Sequence, residues 1–169
     1  AWASLTEMAD ANASLRPDQV FAGATEQAQR LPRLSPFTAK TMAQHWDWIA
    51  STFNRTVWQA PIDHHDLESL YASAQAGAES PEQALRWLRN RVMVRLIWRD
   101  FLRFCDAPET VEQVSLLADF CIQRALEVAS TELTERFGAP IGKDSGEVQQ
   151  LVILALGKLG AQELNLSSD

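Results

Sequence analysis

The residue types best suited to catalysis lie close together between positions 157 and 169. Gly157 and Lys158 follow an aliphatic run, and Ser167, Ser168 and Asp169 follow a polar turn. A glycine at the carboxyl end of a strand leaves space for a phosphate, beside which a lysine supplies a cation. Hydroxyl groups can hold phosphate oxygens, and a carboxylate is a hard ligand suited to Mg²⁺. Phosphoryl and nucleotidyl transfer need this combination, so the segment is a candidate active site, with a plain strand and turn as the alternative.

Three other ligand-binding motifs do not fit this segment. A P-loop would place glycine at the position of Val152 and a serine or threonine at that of Leu159. The dinucleotide fingerprint needs a third glycine besides Gly157 and Gly160. The four residues from Gly157 to Gly160 match the loop of KH domains, but that loop joins two helices, whereas here it follows a run typical of a strand.

The aliphatic run at 151–156 is predicted to be the strand that positions this segment. Its length and its termination at Gly157 suit a strand buried on both faces. Residues 158–164 can form a short helix, and 165–169 turn toward a second strand. Because a strand cannot satisfy its own edges, further sequence or a partner is expected to complete the sheet. The sequence thus predicts a helical region at 1–146, and the first strand and turn of an α+β domain at 147–169.

The region before this strand is predicted to be helical almost throughout. Serine followed by proline marks helix starts at Ser35 and Ser80, and Asp63 or Asp66 is expected to cap a helix between them. A first helix is predicted at 2–14 and a long one from about Pro108 to 137, whereas the proline-rich stretch 16–36 predicts a loop with room for a short helix. Residues of one apolar face are spaced by three or four positions after Ser35: Met42, Trp46, Ile49, Phe53 and Val57.

A stripe of arginines runs along the helix predicted at 81–104. Its members are separated by four positions and alternate with aliphatic residues: Arg91, Arg95, Arg99 and Arg103, with Leu88, Val92, Leu96 and Leu102 between them. A solvated face would not need those aliphatic side chains. We therefore expect a helix covered on both sides, with arginines paired to acidic groups; phosphate or partner binding is the alternative.

The composition excludes several classes of protein. The chain has 169 residues, 46% hydrophobic and 22% charged, as in ordinary globular domains. A formal net charge of −7 argues against a general nucleic-acid binder, although a metal ion and local donors can still neutralise a bound nucleotide. No apolar run approaches the roughly 20 residues that span a bilayer, so no membrane partner is expected. The two cysteines, Cys105 and Cys121, are expected to be reduced, buried thiols of a cytoplasmic protein.

Histidine and tryptophan residues favour structural interpretations. His64, His65 and Asp66 are adjacent, and adjacent helix positions do not face one another, so a polar helix start is favoured over a metal site. His45 is expected on a helix surface. Trp46, Trp87 and Trp98 lie on apolar helix faces and are expected in the core rather than stacked on nucleic-acid bases.

Three segments resemble one protein family. Residues 151–169 read LVILALGKLGAQELNLSSD, which resembles the signature of bacterial glutamine synthetase adenylyltransferase/adenylyl-removing enzymes. Residues 89–100 read RNRVMVRLIWRD and resemble an upstream segment of the same family, as does the stretch 31–37. The departures are mild: Leu156 and Ala161 stand where the family usually has methionine and glycine.

The resemblance implies a bifunctional enzyme with two nucleotidyltransferase halves of polymerase-β-like fold. The turn 164–169 is similar to the amino-terminal, adenylyl-removing half, in which phosphate attacks adenylylated tyrosine of glutamine synthetase and releases ADP; the other half uses ATP to add the adenylyl group. By the family pattern, Asp169 is the first of two catalytic aspartates that hold Mg²⁺, and the second would follow this chain. Gly157 and Lys158 would lie against nucleotide phosphates, with Ser167 and Ser168 in the phosphate-binding turn and Ser168 beside the metal.

The same resemblance implies that the isolated chain is inactive and that glutamine synthetase and the PII signalling protein are partners. Two alternatives stay open. The chain could be a non-catalytic helical module that docks glutamine synthetase or PII, or it could belong to another nucleotidyltransferase, of the kind that modifies antibiotics or nucleic acids. An Asp-hydrophobic-Asp pattern that begins at Asp169 and is followed by an aliphatic strand would support nucleotidyl transfer. The absence of this pattern would exclude it.

Overall fold

The structure, a computed structural model, describes residues 2–11 and 15–167 and is predominantly helical. The described residues form ten helices: α1 (Trp2–Ala11), α2 (Pro17–Val20), α3 (Thr25–Leu34), α4 (Pro36–Gln44), α5 (Trp46–Thr52), α6 (Arg55–Gln59), α7 (His64–Gln75), α8 (Pro81–Phe101), α9 (Ala107–Phe137) and α10 (Gly157–Gly160). Among these, no helix has the length and apolar character needed to cross a bilayer.

The predicted helix starts are confirmed by their capping hydrogen bonds. The amide of Thr38 donates to the Ser35 hydroxyl at 3.3 Å, and that of Gln83 donates to the Ser80 hydroxyl at 3.3 Å. Asp63 caps α7 by accepting from the amide of Asp66 at 2.8 Å. Each cap satisfies an amide that has no partner within its helix, so these short sequence signals determine where the helices begin.

The prediction of a loop at 16–36 is wrong for most of its length. Helix α3 occupies 25–34 and includes Pro32, which removes one backbone hydrogen bond from its interior. Ala24, Ala28 and Leu31, spaced as one helix face, are nearly inaccessible to solvent. Burial of this face offsets the free-energy cost of a proline within the helix. Local helix propensities do not include this contribution from burial.

The apolar face predicted after Ser35 is divided among three helices. Met42, Trp46 and Ile49 are buried as expected, but α4 ends before His45 and α5 begins after it. His45 is only 8% exposed, so its predicted place on a helix surface is wrong. The prediction that Val57 belongs to this apolar face is also wrong, since Val57 lies on α6 and is 47% exposed.

The chain divides into two compact units, 1–62 with 90–110 and 63–89 with 111–169. In the first unit, aromatic rings surround Phe21. Its ring stacks on that of Trp98 with centroids 5.6 Å apart, and contacts the ring of Phe53 edge-on at 4.6 Å. Trp46 and Trp58 are also buried in this cluster. The tryptophans therefore serve largely as core residues, although Trp87, in the second unit, is only partly buried.

Arg95 and Arg99, on the part of α8 that belongs to the first unit, are 5% and 1% exposed. Nη2 of Arg95 donates to the carbonyl oxygens of Val57 and Ala60 at 2.7 and 3.1 Å. Arg99 forms an ion pair with Glu109. The expected acidic pairing is thus confirmed for Arg99, and Arg95 binds backbone carbonyl groups within and just after α6. Together with the buried Val92 and Leu96, these contacts show that α8 is covered on both sides, as predicted.

The second unit contains α7, the start of α8, most of α9, and the residues that follow. Tyr71 of α7 packs edge-on against Phe120 of α9, with ring centroids 5.9 Å apart. The guanidinium of Arg124 lies over the same Phe120 ring and pairs with Glu68 of α7. Helix α9 ends at Phe137 and is followed by Gly138, whose φ of 82° favours glycine, as the sequence predicted.

The predicted strand at 151–156 is not confirmed. These residues lie outside regular secondary structure, and Leu154 and Leu156 are 81% and 84% exposed. A strand requires backbone hydrogen bonds to a neighbour, and within the described residues the sole β-bridge joins Ile141 to Val148. The helical part of the predicted fold is therefore established, while the strand and the domain boundary between 146 and 147 stay predictions.

Candidate functional site

Gly157, Lys158 and Ser167 are found on one compact loop, 157–167, in the second unit. Gly157 begins α10 with a φ of 60°, and Lys158 next to it is exposed. The Ser167 hydroxyl and amide both donate to the side-chain oxygen of Asn165, at 3.0 and 3.1 Å. Ser168 and Asp169 lie outside the described residues, so the geometry of a carboxylate against this loop is not defined.

The loop closes on itself through backbone contacts. The amide of Glu163 donates to the carbonyl oxygen of Lys158 at 2.7 Å. A Cβ atom on Gly160 would lie 2.5 Å from the carbonyl oxygen of Ala155, closer than any side chain permits. Gly160 is therefore required for a close backbone approach, which is a different role from the phosphate contact usually expected of glycines in such a motif.

The loop is attached to α9 by two side chains. The amide of Leu164 donates to the hydroxyl of Ser115 at 3.1 Å. The side-chain amide of Gln162 donates to a carboxylate oxygen of Asp119 at 2.9 Å. Neither α9 residue was identified from the sequence, because a single serine or aspartate in a long amphipathic helix gives no local sign of a partner more than forty positions away.

The predicted metal site was tested against the described donors. No three histidine, cysteine, aspartate or glutamate side chains in the described part of the chain lie close enough together to share a metal ion. Asp169, the predicted ligand, belongs to the residues not described. The described residues do not form a metal site by themselves. What they do provide is a folded loop that presents an exposed lysine.

The remaining titratable candidates support structural roles. His64 lies edge-on to the ring of Phe120, with centroids 5.4 Å apart, and its Nδ1 lies 3.8 Å from a Glu68 oxygen. Both cysteines are free but half-buried rather than fully buried. Burial raises the pKa of the Cys121 thiol to about 11, against a smaller opposing effect of the Arg89 charge, which makes Cys121 a poor nucleophile.

The chain is similar to known proteins along nearly its whole length. The family model described as glutamate-ammonia ligase adenylyltransferase matches residues 25–169. The bifunctional glutamine synthetase adenylyltransferase/adenylyl-removing enzyme of Pseudomonas aeruginosa is 39% identical over 147 residues, covering 85% of this chain and 15% of that protein. The enzyme of the same description from Shewanella loihica is 36% identical over 172 residues, covering 99% of this chain and 17% of the relative.

A third relative shows that part of the chain is more strongly related. The protein of that description from Chromobacterium violaceum is 46% identical over 112 residues, covering 63% of this chain and 12% of the relative. The chain thus spans less than a fifth of the length of these relatives. No solved structure matches it. The family match over most of the sequence, with relatives that cover nearly all of it, shows that this chain belongs to the glutamate-ammonia ligase adenylyltransferase family.

Proposed function

We propose that this chain forms part of the adenylyl-removing half of a bifunctional enzyme that controls glutamine synthetase. The observation that supports this proposal most strongly is the family match, which extends to residue 169 and so includes the whole candidate loop. In the proposed reaction, an oxygen of inorganic phosphate attacks the phosphorus of adenylyl-tyrosine, and the bond to the tyrosine oxygen breaks. ADP forms and the phenolic oxygen regains its proton, which returns glutamine synthetase to its unmodified state.

The loop geometry supports a phosphate-handling role for Lys158. The lysine is exposed at the first turn of α10, beside Gly157, whose missing side chain leaves the backbone accessible. In the proposal, Lys158 and Gly157 contact the phosphates, and the hydroxyls of Ser167 and Ser168 help to orient them. Asp169 would hold Mg²⁺, which when bound would neutralise charge on phosphate oxygens. The carboxylate of Asp169 is a hard oxygen ligand of the kind that Mg²⁺ prefers.

Assignment to the adenylyl-removing half rests on the turn 164–169, which has no glycine, whereas by the family resemblance the carboxy-terminal half more often has glycines in this turn. The assignment predicts a selective effect in the complete bifunctional enzyme. Asp169→Asn keeps the side-chain shape but removes the charge, so deadenylylation should be abolished while adenylylation is largely retained. Both activities are measured on purified glutamine synthetase, and Asp144→Asn at an exposed loop position is the matched control. Loss of adenylylation alone would show that the wrong half was assigned.

The 169-residue chain by itself is proposed to be inactive, because one carboxylate and an unpaired aliphatic segment do not make a nucleotidyltransferase site. The test incubates the isolated chain with adenylylated glutamine synthetase, phosphate and Mg²⁺. Release of ADP above the level of the Asp169→Asn chain would contradict the proposal.

A docking role is the second candidate, favoured by the exposed aliphatic side chains at 151–156 and by Leu133 and Phe137, 56% and 69% exposed near the end of α9. Such side chains are typical of a surface that another polypeptide covers. Binding of labelled glutamine synthetase or PII to the isolated chain without Mg²⁺ would favour docking. Persistence of that binding after Leu133→Ser and Phe137→Ser would argue against this surface.

A further inference from the structure

Ser115 is an unusual residue for its position in α9. It lies between Val114 and Leu116, and none of its surface is exposed to solvent. Its hydroxyl lies 2.8 Å from the carbonyl oxygen of Val111, to which it donates. A serine bonded back to its own helix is no better for helix stability than alanine, and leaves a hydroxyl to be desolvated. The bond to Val111 therefore gives no stability that alanine would lack, and the hydroxyl contributes to the structure through its second contact.

That second contact is with the candidate loop. Since the single hydroxyl proton of Ser115 points to Val111, its oxygen accepts the hydrogen bond from the amide of Leu164, 3.1 Å away. The contact connects positions 49 residues apart in the sequence. Without the serine oxygen, this partly buried amide would have no hydrogen-bond acceptor from α9.

Asp119 provides a second attachment one helical turn further along. Residues four positions apart lie on the same face of a helix, so Ser115 and Asp119 lie on the same side of α9. A carboxylate oxygen of Asp119 accepts from the side-chain amide of Gln162 at 2.9 Å. Gln162 has a φ of 59°, a left-handed conformation that is unfavourable for any residue with a side chain. The same side-chain amide also donates to the carbonyl oxygen of Leu159 at 3.3 Å, so Gln162 is bonded both to its own loop and to α9.

The attached residues are connected to α10 through the backbone. The amide of Glu163, between Gln162 and Leu164, donates to the carbonyl oxygen of Lys158. Anchoring Gln162 and Leu164 to α9 therefore restrains the loop that carries Gly157 and Lys158.

We infer that Ser115 and Asp119 are positioning residues: they hold loop 157–167 so that its phosphate-binding groups are correctly placed for nucleotidyl transfer. The inference rests on the proposed function. Neither residue touches the reacting groups. Their effect on rate is expected to be large because a displacement of about 1 Å at a reacting group can reduce a rate about a hundredfold.

The first test is structural and is made on the complete enzyme without Mg²⁺ or nucleotide. Ser115→Ala removes the acceptor of the Leu164 amide, so hydrogen exchange in peptides covering 157–167 should become at least about tenfold faster. Ser130→Ala, at an exposed position of the same helix, is the matched control and should leave this exchange unchanged. Unchanged exchange in Ser115→Ala would overturn the inference.

The second test is kinetic and uses Asp119 as well. Asp119→Ala and Ser115→Ala should each lower the kcat of deadenylylation about tenfold, with the KM for adenylylated glutamine synthetase within about twofold of the original value. Asp119→Asn retains an oxygen that can accept from Gln162, so it should recover most of the lost kcat. Adenylylation by the same preparation should be unchanged in every variant.

The outcomes separate this inference from the proposed function. If Asp169→Asn abolishes deadenylylation while Ser115→Ala and Asp119→Ala leave its kcat intact, the proposed function holds and the positioning inference is wrong. An equal fall of both activities would indicate a general folding defect and would also overturn the inference. If Asp169→Asn removes adenylylation instead, the assigned half is wrong, and a selective fall of adenylylation in Ser115→Ala would still support positioning. If Asp169→Asn affects neither activity, both proposals fail.

Discussion

Nη2 of Arg99 lies 2.6 Å from Oε1 of Glu109, which connects the end of α8 to the first turn of α9 within the first unit. Arg99 is almost fully buried, and its Nε also donates to the carbonyl oxygen of Gln59 at 3.0 Å. One guanidinium therefore joins three chain segments. The planar arrangement of its donors suits two differently directed acceptors at once, which a lysine could not serve in the same way.

Replacing this guanidinium should destabilise the chain. In Arg99→Met, the apolar volume is largely kept, but the Gln59 carbonyl and Glu109 lose their donor. Because the Glu109 side chain is 32% exposed and water can reach it, we expect a loss of about 2–3 kcal/mol rather than the larger effect of a fully buried pair. Urea unfolding followed by tryptophan fluorescence measures it. Arg86→Met, at an exposed position of α8, should change stability by less than about 0.5 kcal/mol.

The stability of the chain should depend on pH through His45. Burial, reinforced by the positive charge of Arg91, lowers the pKa of the His45 imidazole below its ordinary value of 6.5. As the pH falls below 6.5, the unfolded chain binds a proton at this histidine before the folded chain does, so folding becomes less favourable; above that pH the group contributes no pH dependence.

Substitution of His45 should remove this part of the pH dependence. The free energy of unfolding of His45→Gln is expected to fall less than that of the original chain between about pH 7.5 and about pH 5.5. His65→Gln, at an exposed position of α7, should retain the original slope. Equal slopes in the original chain and His45→Gln would show that His45 does not titrate differently in the folded state.

Cys121 should react slowly with thiol reagents. With a pKa of about 11 the thiol is almost entirely protonated near neutral pH, and the thiolate is the reactive form. In a Cys105→Ser background, alkylation by iodoacetamide at about pH 8 should be at least about tenfold slower in the folded chain than in urea. Peptide mass spectrometry measures both rates. Equal rates would mean that the folded chain does not protect this thiol.

Gly160 should tolerate no side chain. In Gly160→Ala the new Cβ would meet the Ala155 carbonyl oxygen at 2.5 Å, so the backbone must shift and the loop contacts should loosen. Faster hydrogen exchange in 157–167, with little change in the rest of the chain, is the expected result. Gly77→Ala is the matched control, because its Cβ would lie 3.5 Å from the Trp87 ring, an ordinary contact. Similar exchange in both variants would contradict the close approach.

Local signals predicted the starts of three helices and the end of α9. A capping side chain and the amide it binds are three residues apart, so Ser35, Asp63 and Ser80 could be recognised from a few neighbouring residues. The glycine that follows α9 is a similar case, because the conformation it adopts is unfavourable for other residues. In the candidate site, residue types and spacing selected Gly157, Lys158 and Ser167 as candidates, and their role stays a prediction.

Tertiary contacts decided the rest. Helix α3 forms despite Pro32 because Pro32 is buried together with Ala28 and Leu31. His45 is buried although its neighbours in the sequence predicted a place on a helix surface. The predicted strand at 151–156 depended on hydrogen bonds to another segment, which no property of an aliphatic run can provide.

Sequence alone determined the family resemblance, the helical character of the chain, and the residue types of the candidate loop. Which side chains hold that loop was decided only in three dimensions. Ser115 and Asp119 meet Leu164 and Gln162 across more than forty residues of intervening chain. The physical reason is that local patterns record contacts between near neighbours, whereas these hydrogen bonds exist only after α9 and the loop have packed together.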